Sequence, residues 1–155
     1  MDRTETQTLF VNRFHIGSDP VPVAKVDLEE LEKKLDTKLP KSFIQFLTTF
    51  GPIYCPKMLG TIVDRELDLW DVNNIYEAKE SIESTEAYWS GGMPTDYVVF
   101  GNDCMGNAFC FKKMKETMDD SAVFFFDHDY VTVDQLADSF DSWLEKYLNL
   151  LPDEN

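Results

Sequence analysis

The chain has 155 residues, with 29 Asp and Glu against 14 Lys and Arg and a formal net charge of −15. That length suits one domain with a sizeable core, and 43% hydrophobic content with twelve Phe excludes a disordered chain. The acid excess argues against direct DNA or RNA binding, since such a surface repels phosphates, and no apolar run reaches the eighteen or so residues of a membrane helix.

The opening residues, MDRTETQTLF, are polar and lack an apolar signal core, so a soluble cytoplasmic protein is expected. Residues 1–25 carry weak signals and read as a peripheral segment, with Gly17 to Pro22 an extended connector. Asp27-Leu28-Glu29-Glu30 has capping-box spacing with Asp in place of Ser or Thr. Leu28, Leu31 and Leu35 then predict a short amphipathic helix over 27–36. Pro40 suits a helix's first turn and Gly51 a left-handed C-terminal residue. Phe43, Ile44, Phe46, Leu47 and Phe50 between them fill one broad apolar face.

Met58 to Val63 is β-prone with Gly60 inside, which predicts a strand with a bulge or a close backbone approach, and Leu67 to Val72 reads as a second, shorter strand. Asn73 or Asn74 is positioned to cap a helix running to about Tyr88, with Ile75, Ala78, Ile82 and Tyr88 facing inward. Ser90-Gly91-Gly92-Met93-Pro94 breaks the chain. Tyr97 to Gly101 and Ala108 to Lys112 then form an antiparallel hairpin around a polar turn. A polar loop from Lys112 to Asp120 leads to a strand over 121–127, whose Phe124-Phe125-Phe126 run implies burial on both faces or against a partner strand. Thr132-x-x-Gln135 reads as a capping box opening the last helix. Leu136, Phe140, Trp143, Leu144, Tyr147 and Leu148 lie on that helix's inner face. Helices, then strands in sequence, then a closing helix predict an α+β fold: a mostly antiparallel sheet with helices packed on it, an N-terminal helical hairpin and a C-terminal amphipathic helix.

Chemical sites are sparse. Cys55, Cys104 and Cys110 are odd in number without a C-x-x-C pair, which argues against disulfides or a thiolate zinc site. Asp127-His128-Asp129 holds one His between acids, and a strand would point that His away from both, so a hydrated turn explains it better than a metal. Asp103, Gly106 and Asn107 read as turn chemistry. Ser139 and Ser142 have no neighbouring base, so no catalytic residue, cofactor or metal is expected.

Leu39-Pro40-x-x-Phe43-x-x-Phe46-Leu47-x-x-x-Gly51 after an acidic helix resembles the amino-terminal motif of the SUKH superfamily. Three later segments agree in order: Phe100-Gly101-Asn102-Asp103-x-x-Gly106-Asn107, Val123 to Asp129, and Ser139-Phe140-Asp141-Ser142-Trp143-Leu144. The resemblance covers about residues 26–148 within a single domain of 1–155. Phe50 stands where family members often have Asn before the glycine. Asn107 stands where the glycine turn commonly continues into Asp, so no role of that acid is carried over.

The resemblance implies a non-catalytic binding module. Bacterial members are typically immunity proteins that neutralise toxin domains, often nucleases, of polymorphic toxin systems; fungal relatives regulate cell-wall glucan synthesis. The alternative function is therefore a regulatory or scaffolding role in cell-envelope processes. Charge fits a basic toxin partner: from Glu116 onward eleven acids are opposed only by Lys146. The expected contact residues are Asp127, Asp129, Asp134, Asp138 and Asp141, with Tyr88 and Trp89 as residue types enriched in interface hot spots.

Overall fold

The computed structural model describes residues 1–153; Glu154, one of the eleven C-terminal acids, lies outside them. The described chain runs α1 (Arg3–Phe14), α2 (Lys25–Leu35), α3 (Lys41–Thr49), β1 (Ile53–Tyr54), α4 (Met58–Asp64), β2 (Asn74–Ile75), α5 (Ala78–Ser90), β3 (Tyr97–Asn102), β4 (Ala108–Lys112), β5 (Val123–Asp127), β6 (Thr132–Ala137) and α6 (Phe140–Leu150). The six strands follow one another in the sheet in chain order, each antiparallel to the next. This is the α+β architecture that the sequence predicts.

Alternation along the strands sends side chains to two covered faces. Val98, Phe100, Phe109, Phe111, Val123 and Phe125 join the larger cluster, with Phe43 and Phe46 from α3 and Phe140, Trp143 and Tyr147 from α6. Phe43 is central: its ring lies 5.3 Å from Phe100, 5.2 Å from Phe111 and 5.4 Å from Phe140, separations at which aromatic pairs attract beyond their buried area. Val99, Ala108, Cys110 and Phe126 face the other way, under Tyr76 and Met93 with Tyr88 and Trp89 at the margin. Phe125 and Phe126 thus lie in different clusters, as the triple-Phe run implies.

The α3 helix begins after Pro40, and Gly51 follows its C-cap with φ +107°. A Cβ at Gly51 would lie 2.1 Å from the Val21 carbonyl oxygen, because the connector crosses the helix end there. Val23 N–H also donates to Leu47 O at 2.8 Å. β2 pairs with β3 only at Asn102 and Gly101. Past it α5 takes over: Ser81 Oγ–H donates to Val99 O, and Val99 N–H donates to Thr85 Oγ1 at 2.9 Å. Two hydroxyls thus satisfy buried backbone groups that a longer strand would have paired.

Several sequence expectations are corrected. Residues 1–25 are not peripheral, because α1 buries Thr6, Gln7, Phe10 and Val11 on one face. Phe10 meets the Tyr147 ring at 6.0 Å, and Arg13 donates to the Leu148 and Leu151 carbonyls at the end of α6. Met58 to Val63 is helical, with Met58 and Ile62 buried four residues apart and Val63 exposed. Residues 67–72 are irregular; Trp70 stacks on Phe125 at 4.4 Å, and its carbonyl accepts the Tyr147 hydroxyl at 2.7 Å. The helix expected from Asn73 or Asn74 starts at Ala78, capped by Glu77, because Asn74 and Ile75 are spent on the sheet. Asp27 makes no cap; the N-cap of α2 is Ala24. Thr132 to Gln135 is not a capping box but part of strand β6, and Ser139 with Ser142 forms the box that starts α6, seven residues later than expected.

Candidate partner-binding surface

The strand β5 ends at Asp127, whose carboxylate accepts the Asp129 N–H at 2.9 Å and the Tyr130 N–H at 3.2 Å. This side-chain-to-backbone turn leads through Val131, held at φ +55°, into β6. His128 fastens the turn to its neighbour. Asn107 Oδ1 accepts the His128 backbone N–H at 3.1 Å and lies 2.7 Å from ring Nδ1, while Nε2 stands 3.3 Å from Asp129. The ring also lies over Gly106, where a Cβ would come 3.3 Å from Cε1.

Asp103 fixes the adjoining β3–β4 turn from inside. It is buried and accepts N–H groups of Met105 and Asn107 at 2.9 and 2.8 Å and the Asn107 side-chain amide at 2.9 Å. The turn chemistry read from Asp103, Gly106 and Asn107 is therefore present. The Asn107 side-chain amide serves both turns at once.

The expected contact residues divide into two groups. Asp129, Asp134 and Asp138 are exposed on the turn, on β6 and just after it. Asp141 is engaged: Arg3 Nε donates to it at 2.9 Å, while Arg3 Nη2 donates to Asp119 at 2.7 Å. Burial holds the Asp141 carboxyl above its ordinary range despite Arg3, whereas the Arg3 hydrogen bond holds exposed Asp119 below it. Asp120 is engaged too, accepting N–H groups of Phe140 and Asp141 at the start of α6 and the Ser42 hydroxyl, where a helix N-terminus favours a negative charge. Tyr88 donates its hydroxyl to Gly106 O at 2.6 Å and packs edge-on against Phe126. Trp89 donates Nε1–H to Tyr97 O at 2.8 Å and carries the Lys113 ammonium over its ring at 4.7 Å.

Three apolar side chains that sequence reasoning passed over are exposed on these two turns: Tyr130 is 80% exposed, Met105 68% and Val131 52%. The only advance signal is their position in or next to tight turns, where a large apolar side chain has no core to enter.

The cysteines show no activation. Burial pushes the Cys55 thiol up to about 12 and raises Cys110 further; burial and Asp71 push Cys104 up to about 11. Thiols so shifted stay protonated at neutral pH and make poor nucleophiles. Among the described residues no three His, Cys, Asp or Glu side chains gather as metal ligands would, and no helix is long and apolar enough to cross a membrane.

Residues 22–146 fit the SMI1 / KNR4 family (SUKH-1), a span from just before α2 into α6. No curated protein matches the chain.

Proposed function

Because the chain belongs to the SMI1/KNR4 family (SUKH-1), we propose that it is a non-catalytic protein-binding module acting as an immunity protein, which neutralises a basic toxin domain by stoichiometric capture. The observation that carries this reading is an acidic sheet edge: Asp129 stands exposed next to Tyr130 and Val131 at the turn into β6, Asp134 is exposed along β6, and Asp138 just past its far end. Aromatic and aliphatic anchors ringed by charge are the anatomy of a protein interface. The acids steer a basic partner and set its orientation, while the apolar tips are the groups that lose water on contact.

The members of the proposed contact set then differ in what they do. Asp129, Asp134 and Asp138 meet the partner, Asp127 and Tyr88 hold the turns that present Tyr130 and Met105, and Asp141 and Trp89 serve the scaffold. Blocking a nuclease that grips phosphates needs only that its basic groove be covered.

The test is co-expression with the toxin domain encoded beside this chain, which is expected to restore growth and give a one-to-one complex. Reversing Asp129, Asp134 and Asp138 to Lys is expected to slow association at least about tenfold at low salt, with a smaller change in dissociation, as for steering charges. Failure to restore growth despite soluble protein overturns the immunity role. Several host partners in a pull-down, without an adjacent toxin, would favour regulation of cell-envelope processes. Unchanged association rates in the variant would remove the acidic face while leaving the family assignment intact.

A further inference from the structure

Six of the fourteen basic residues of this acidic chain converge on one groove. Lys25 and Lys33 come from α2, Lys38 from the turn into α3, Lys41 from the start of α3, and Lys113 and Lys115 from the loop after β4. The groove is open and has a volume of about 1390 Å3. The loop is stitched to the helical hairpin: Lys38 N–H donates to Met114 O, Lys41 N–H to Met118 O and Met114 N–H to the Thr37 hydroxyl, at 2.9, 2.9 and 3.1 Å. The lysines are therefore presented by a fixed backbone frame.

Lys113 lies over the Trp89 ring at 4.7 Å and Lys41 acts at longer range on Asp119, but among the described residues no carboxylate clasps any of the six. Among the described residues none of the six takes part in an ion pair within 4.0 Å, although Glu29, Glu32 and Asp36 line the same groove. Glu32 is turned to the backbone, accepting the Leu39 N–H at 2.8 Å. In a chain with 29 acids, a patch with twice as many lysines as carboxylates is a strong local reversal of sign. Ile44 and Met114 add apolar lining between the charges.

We propose that this groove docks a short acidic peptide segment of a partner protein. Several spaced ammonium groups suit a row of carboxylates. There is no arginine in the lining to clasp a single phosphate through a two-pronged contact. Ile44 and Met114 offer contact to apolar side chains between the acids, which a phosphodiester backbone does not supply. Length matters as well: at about 0.1 M salt the screening length is about 10 Å, so a short segment responds to the groove and little to the remaining surface. A long polyanion would extend from the groove onto carboxylates. The proposal stands apart from capture of a basic toxin, because it uses a different surface and the opposite sign of charge.

The probe is a fluorescein-labelled twelve-residue peptide of Glu and Asp with two Phe, titrated with the full chain at 0.1 M salt. Saturable binding is expected, weakening as salt rises. The variant Lys33→Glu/Lys38→Glu/Lys41→Glu is expected to bind at least about tenfold more weakly, the combined effect of three modest surface pairs. Lys57→Glu/Lys79→Glu/Lys146→Glu has the same formal net charge and is expected to stay within about twofold of the parent. Urea midpoints of both variants establish that each is folded. No saturable binding, or equal loss in the two variants, overturns the proposal. Tighter binding of a twenty-nucleotide single strand than of the peptide would assign the groove to nucleic acid. Salt-sensitive self-association lost only in the groove variant would assign it to a second copy of this chain.

Discussion

Asp71 sits in the irregular segment between α4 and β2 with 4% of its surface exposed. Its oxygens lie 3.2 and 3.4 Å from the Cys104 N–H. Burial is the largest influence on it and raises its pKa; Asp103 nearby adds to the shift, and the Cys104 contacts only partly offset it. The folded chain therefore binds this proton more tightly than the unfolded chain does. Its favourable contribution is complete below the ordinary carboxylate value of 3.8 and is lost as pH rises through the raised folded value. Asp71→Asn removes the buried charge and keeps an acceptor for Cys104, so a gain of about 1 kcal/mol is expected at pH 7. The gain should shrink as pH falls toward 4, measured as the difference in urea midpoint between variant and parent. A variant less stable than the parent at pH 7 would mean that the charge itself is wanted there. The sequence offers no sign of this residue, because Leu67 to Val72 reads as a strand in which Asp71 is one acid among many until the fold encloses it.

At the scale of elements the two ends of β6 give a sharp contrast. Ser139 Oγ accepts the Ser142 N–H at 3.0 Å, and Ser142 Oγ accepts the Ser139 N–H at 3.1 Å, so the first turn of α6 is closed reciprocally. Removing such a cap typically costs about 1 kcal/mol. Ser139→Ala is expected to lose about that much in denaturant unfolding, whereas Thr132→Ala, exposed on the edge strand, should stay within about 0.5 kcal/mol. The reverse order would mean that the helix begins at Thr132 after all. The sequence misleads there because Thr132 and Gln135 have capping-box spacing, while an edge strand with one solvated side shows little apolar alternation. α1 was hidden for a related reason: two of its four inward residues are Thr6 and Gln7, and Gln7 is buried with its amide N–H donating to Ser42 O at 2.9 Å. α4 misread in the opposite sense, since β-prone residues outweighed the four-residue spacing of Met58 and Ile62. The β3–β4 hairpin and β5 were legible because apolar runs between turn residues have few other readings.

For the whole molecule, a formal charge of −15 on 155 residues means that the folded state is compressed against its own repulsion. The individual acids of the candidate face were visible in the sequence, but not which were free: Arg3, 138 residues away, occupies Asp141. The lysine groove was invisible for the same reason, its members being spread from Lys25 to Lys115. The balance of these patches should govern how stability responds to salt. Raising ionic strength from about 0.01 to 0.1 M shortens the screening length from about 30 to about 10 Å, relieving long-range repulsion while hardly touching the buried core. The melting temperature of the parent is therefore expected to rise with salt. The rise should be steeper in the lysine-groove triple variant, whose net charge is more negative, and shallower when Asp129, Asp134 and Asp138 are reversed to Lys. Thermal melts at matched salt concentrations would test that ordering without any partner present. A flat response in all three would show that local pairs such as Arg3 with Asp119 and Asp141 outweigh the molecule's overall field. The same melts separate the two binding experiments from loss of folding, because a variant that follows the expected slope has kept its fold whatever it has lost in affinity.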